Sequence, residues 1–211
     1  MTAQRTRLLT CGIAAGPIYI ALGLFQIAIR PGFDITRHAL SLLSNGNLGW
    51  IQISNFLITG ALLIAGAMGL QSGLLSGSGR KWAPRMLVLY GAGLICAGVF
   101  RADPALGFPP GTPLTHNPMS WHGKMHFVAG TVGFIGLIAS CFILANRFRG
   151  SSQIGWSAYS LITGIVFLTA FAAIASGSQG LTVVYFSLAV VLSFVWLSGV
   201  FNHFRSIMPP G

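Results

Sequence analysis

The sequence predicts an all-α polytopic membrane protein: a six-transmembrane-helix bundle with an interfacial helix and a Pro-rich extracytoplasmic loop. Three observations predict it. Hydrophobic residues make up 54% of the 211 residues and charged residues only 7%, whereas soluble domains carry about 25% charged residues. Mean hydropathy is +0.76. Finally, the apolar residues are gathered into runs long enough to cross a bilayer, which takes about 20 residues as a helix. The runs do not alternate polar and apolar, which excludes a barrel. In lipid the backbone must satisfy itself, so each run is a helix. The spans fall at about 8–29, 51–75, 84–102, 122–145, 154–175 and 181–202, and form a single domain over 1–211.

The first run follows Arg5 and Arg7. It is too long for a signal peptide and no small-residue cleavage site follows, so it reads as a retained helix. The chain then leaves the membrane through residues 30–50. Asp34 suits an N-cap and Gly46 a C-terminal cap. A helix between them places Asp34, Arg37 or His38, and Ser41 on one stripe, as an amphipathic helix resting on the membrane surface. Arg37 and His38 are candidates to bind an anionic headgroup or substrate, or Arg37 to pair with Asp34. The second span opens with Gln52 and Asn55 one turn apart. Amides here either hydrogen-bond between helices or line a cavity.

The third run lies between Arg85 and Arg101, whose side chains snorkel to lengthen it. Residues 101–124 form a second long loop. Asp103 stands at its start, where a buried carboxylate needs a partner such as Arg101 or Arg37. Gly107-Phe108-Pro109-Pro110-Gly111 is rigid and non-helical, a cover for the bundle. His116 and Pro118 follow. Ser120 reads as the N-cap of the fourth helix. His122 and His126 are four residues apart, so they share a helix face and can chelate a transition metal, with Asp103 or His38 as a third ligand. Zinc is the candidate cofactor. The zinc-protease motif needs Glu after the first histidine, and Gly123 stands there. The alternatives are hydrogen bonding at the bundle mouth, proton transfer or headgroup binding.

The fifth and sixth spans are joined by the tight link 176–180, which makes them an antiparallel pair. Gly12 and Gly16, then Ala61, Ala65 and Gly69, then Gly130, Gly133 and Gly136 have the spacing of helix-packing faces, either within the chain or in a homo-oligomer. Cys11, Cys96 and Cys141 lie in apolar runs and read as small buried hydrophobes.

Charge sets the orientation. The net charge is +10, but the cations are spread over loops, which excludes nucleic-acid binding and points to membrane lipids. Arg5, Arg7, Arg80, Lys81, Arg85, Arg147, Arg149 and Arg205 fall on one side; Arg30, Arg37, Arg101 and Lys124 fall on the other. The positive-inside rule therefore places both termini in the cytoplasm and the protein in the cytoplasmic membrane. Both acidic residues and most histidines lie on the opposite, outer face.

These residues carry a resemblance. Asp34, Arg37 to Leu43, Gly49 to Gln52, Asn55-Phe56, Gly98 to Phe100, Asp103-Pro104, Gly107 to Gly111, and Ser120, His122, Gly123 and His126 together resemble the membrane-protein family DUF998, over nearly the whole chain. The resemblance implies a bacterial or archaeal multi-pass protein and no established activity. A looser similarity is to intramembrane metal hydrolases of the alkaline ceramidase and adiponectin-receptor type. It implies zinc held among Asp103, Ser120, His122, His126 and His38, although those proteins have one more span. Three functions are expected on this basis. The first is binding of a lipid headgroup or small ligand at the outer mouth, through Asp34, Arg37, His38, Gln52, Asn55 and Asp103. The second is zinc-dependent lipid hydrolysis, and the third a structural or accessory role in a membrane complex.

Overall fold

The computed structural model describes residues 2–74, 77, 79–114, 118–177 and 179–207. Leu75, His116 and Ser178 lie outside them. Six helices are long and apolar enough to span a membrane: α1 (Thr2–Ile29), α2 (Gly49–Gly73), α3 (Trp82–Val99), α4 (Trp121–Gly150), α5 (Ile154–Ala175) and α6 (Leu181–Ile207). Each packs on its neighbour in sequence, and α6 closes the ring on α1. Neighbours run antiparallel: Gly60 meets Gly91 while Gly98 meets Phe56 across α2 and α3, and Gly133 meets Gly93 while Gly136 meets Met86 across α3 and α4. A Cβ on Gly60 would meet the Gly91 carbonyl at 2.6 Å, and one on Gly93 would meet Gly133 Cα at 2.7 Å. These contacts weld α2 to α3 and α3 to α4 at backbone distance. Gly12 and Gly16 serve the α1–α6 seam against Phe201 and Ser198. Gly130 is different: a Cβ there would meet only Phe134, at 3.9 Å.

The helix ends depart from the apolar runs in an instructive way. α4 continues past residue 145 to Gly150, with Arg147 and Arg149 in its last turn. There their charge suits the carbonyl end of the helix dipole. α3 stops at Val99, short of the expected 102. At 1.5 Å per residue it is about 27 Å long, less than the hydrocarbon thickness of about 30 Å. The loop after it occupies that shortfall.

The expected interfacial helix from Asp34 to Gly46 does not form as one piece. A single turn over 34–38 is followed by a short 3-10 helix, Leu40–Ser44, with Leu40, Leu43 and Ser44 buried. The segment is plugged into the bundle mouth rather than laid on the surface. Gly46, at φ 72°, ends it in the left-handed region that glycine tolerates.

Candidate functional site

The two long loops and the α5–α6 link meet at one end of the bundle, opposite both termini. The first loop is built on Asp34. Its carboxylate accepts from the Thr36 hydroxyl at 2.7 Å and the Thr36 amide at 2.9 Å. These two bonds hold the Asp34 carboxyl below the usual carboxylate range. His38 is buried and ties the loops together. Its Nδ1 accepts from the Asp34 amide at 2.9 Å, so Nε2 carries the proton and donates to the Leu106 carbonyl at 3.0 Å. Both ring nitrogens are thereby used. Arg37 is exposed and reaches the same carbonyl only at 3.5 Å.

Arg30, just past α1, is buried beneath the loops. Nη1 donates to Leu43 O at 2.9 Å, Nη2 donates to Asn45 O, and the guanidinium lies 5.0 Å from the centroid of the Phe108 ring. Phe108 is fully buried and packs edge-on to Phe33 at 5.3 Å. The Pro-rich cover expected over the bundle is therefore anchored by its one phenylalanine.

Asp103 finds its partner in Ser120 rather than in an arginine. Its carboxylate accepts from the Ser120 amide at 2.8 Å and the Ser120 hydroxyl at 2.5 Å. Ser120 Oγ in turn accepts from the Gly123 amide at 3.1 Å, as an N-cap does. This clamp fastens the start of the second loop, just past α3, to the start of α4. Gly123 is required because a Cβ would collide with the Asp103 carboxylate.

Beneath the loops lies a cavity of about 770 Å³. Arg37, Asp103 and Ser120 stand at its rim, and Tyr19, Tyr90 and Val190 line it near mid-bundle. One wall is aromatic: Phe134 contacts Phe171 and Phe186 with centroids at 5.1 and 5.7 Å, and Phe167 backs them at 5.0 Å from Phe134. Tyr19 stacks on Phe194 at 3.9 Å. His126 is the histidine on this wall. Its Nδ1 lies 2.9 Å from Ala97 O and 2.8 Å from Phe100 O, the free carbonyls at the end of α3. Carbonyls only accept, so Nδ1 donates and the neutral ring keeps a lone pair on Nε2.

The remaining candidates are placed elsewhere. Gln52 and Asn55 face α1: Gln26 Nε2 donates to Gln52 Oε1 at 2.8 Å, and Asn55 Nδ2 donates to Tyr19 O at 3.2 Å. His122 is exposed beside the rings of Trp121 and Phe100, at 4.7 and 6.2 Å. Although His122 and His126 are one turn apart, the end of α3 draws one ring inward and the loop leaves the other outside. Among the described residues, no group of three His, Cys, Asp or Glu side chains is placed to hold a metal ion.

Sequence reasoning missed Arg30, Tyr19 and Tyr90. Arg30 carries a signal in the sequence, an arginine directly after an apolar span, but that signal speaks of topology and not of a loop anchor. The tyrosines carried none, since aromatic residues in a span are ordinary core.

Residues 13–203 of the chain match the model of a family described as "Protein of unknown function (DUF998)". No curated protein and no solved structure matches the chain.

Proposed function

For a chain that belongs to the DUF998 family of proteins of unknown function, we propose a binding role. It takes up an amphiphilic ligand in the cavity at the loop end. The polar part sits at the rim, between Arg37 and the Asp103–Ser120 clamp. The apolar part lies among α3, α4 and α6. With both termini in the cytoplasm, as the charge distribution indicates, the mouth opens on the extracytoplasmic side.

The observation that carries this reading is the cavity itself. Its 770 Å³ falls within the range of about 300–1,000 Å³ typical of small-molecule sites, which combine apolar walls with a few placed polar groups. The loops above it are tied to one another by His38, Arg30 and Phe108, so the mouth is held in shape rather than left to collapse.

The test is lipid binding by the purified protein, read by native mass spectrometry with an added single-chain anionic amphiphile. Gly130→Phe should fill the cavity without disturbing a helix seam, because only Phe134 lies near a Cβ at that position. Binding should fall at least about tenfold, a loss of 1.4 kcal/mol or more. Undiminished binding by a folded Gly130→Phe variant would overturn the proposal.

A further inference from the structure

Within the cavity, one buried polar group is oriented by the protein and keeps hydrogen-bonding capacity to spare. His126 is more than nine-tenths buried and lines the wall. Its tautomer is set by α3: with Nδ1 donating to Ala97 O and Phe100 O, Nε2 is an acceptor. Among the described residues, no donor reaches that nitrogen. Nε2 is not among the sealed polar atoms of the interior, and the residue lines the cavity, so a ligand there can reach it.

Arg37 complements it at the rim. Its one hydrogen bond is long, so the fork still has donors to offer an acceptor-rich head. Asp103 at the same rim has both carboxylate oxygens engaged by Ser120. His126 lies five residues into α4, which is about 8 Å below the helix start at 1.5 Å per residue. A ligand that satisfies both groups therefore has an anionic head at the mouth and a hydrogen-bond donor a short way down. The volume suits a drug-sized molecule, which admits one acyl chain rather than a diacyl lipid.

We infer that the ligand is a single-chain anionic amphiphile bearing a hydroxyl just below its head, with Arg37 meeting the head and His126 Nε2 accepting the hydroxyl hydrogen. This rests on the binding role proposed above and names the ligand class and the residues that select it.

The experiment compares three probes in detergent: oleoyl lysophosphatidate, its deoxy analogue oleoyl propanediol phosphate, and monoolein, which keeps the hydroxyl but lacks the phosphate. The wild-type protein should bind lysophosphatidate about tenfold more tightly than the deoxy analogue, the usual effect of one buried hydrogen bond. His126→Asn places an amide nitrogen where Nδ1 was, keeps the bonds to α3, and draws its one acceptor, Oδ1, back to the Cδ2 position, out of reach of a hydroxyl placed for Nε2. It should bind both phosphates equally. Arg37→Gln should weaken both phosphates about tenfold, a charge-assisted contact, and leave monoolein unchanged.

Equal binding of the hydroxyl and deoxy compounds by the wild-type protein would overturn this inference, as would a hydroxyl preference that survives in folded His126→Asn, while leaving the cavity reading standing. Failure of all three probes to bind, or their undiminished binding by Gly130→Phe, would overturn both.

Discussion

Ser198 on α6 supplies the hydrogen bond that Pro17 denies to α1. Pro17 has no N–H, so the carbonyl of Ile13 loses its helical donor. Ser198 Oγ donates to that carbonyl at 2.8 Å. Inside lipid no water could do so. Gly16 permits the approach, since a Cβ there would collide with the Ser198 hydroxyl.

Ser198→Ala should therefore cost about 1–2 kcal/mol of stability, the effect of orphaning one buried acceptor. In a Pro17→Ala background the backbone N–H returns and the same change should cost much less. Unfolding in mixed micelles measures both. An equal cost in the two backgrounds would show that the Ser198 bond has nothing to do with the proline.

Arg30→Lys should loosen both long loops although the charge is kept. The guanidinium fork reaches Leu43 O and Asn45 O while its plane covers Phe108, and an ammonium cannot do all three. We expect a loss of about 1–3 kcal/mol and faster proteolysis in residues 31–48. Unchanged cleavage would remove Arg30 from the clamp.

Gly123→Ala should act through Asp103. The added methyl would displace the carboxylate from Ser120, at about 1–3 kcal/mol for the lost charged hydrogen bonds. In an Asp103→Ala background it should cost less than half as much. A double-mutant cycle measures the coupling, and strict additivity would contradict the clamp.

The buried amides of α1 and α2 should behave as a unit. Among the described residues Gln26 Oε1, Gln52 Nε2 and Asn55 Oδ1 find no partner, so the cluster holds the helices together at the expense of unsatisfied groups. Gln52→Leu alone should destabilise, because it strands the Gln26 amide. The Gln26→Leu, Gln52→Leu double variant should recover most of the loss. A double variant worse than the sum would refute this.

Orientation can be read by cysteine labelling in intact cells. Asn47→Cys, at the loop end, should react with a membrane-impermeant maleimide. Ser151→Cys, among the cationic links, should react only after permeabilisation. The reverse pattern would mean that the eight basic residues at that end do not set the topology.

Much of the fold was legible in the chain. The six spans and the N-cap at Ser120 follow from composition and local spacing, whereas Gln52 and Asn55 are open between interhelical bonding and a cavity until α1 supplies their partners. The interfacial helix was misjudged because Asp34 caps one turn only, after which His38 is drawn down against Phe108 and Leu106. Spacing placed His122 and His126 on one helix face, but it could not show that the end of α3 stops above one ring and not the other.

The sequence by itself determined that the chain crosses a membrane six times and carries its acids at the end opposite most of its cations. Those properties depend on residue type summed over runs, and lipid imposes them segment by segment. Tertiary structure alone decided that a cavity exists, that His38 is a tie between loops, that Asp103 belongs to Ser120, and that His126 is held by the end of α3 on the cavity wall. Each of those depends on which polar atom finds a partner. That partner lies on another element, at a distance set by where glycine lets two helices touch and where a helix happens to end.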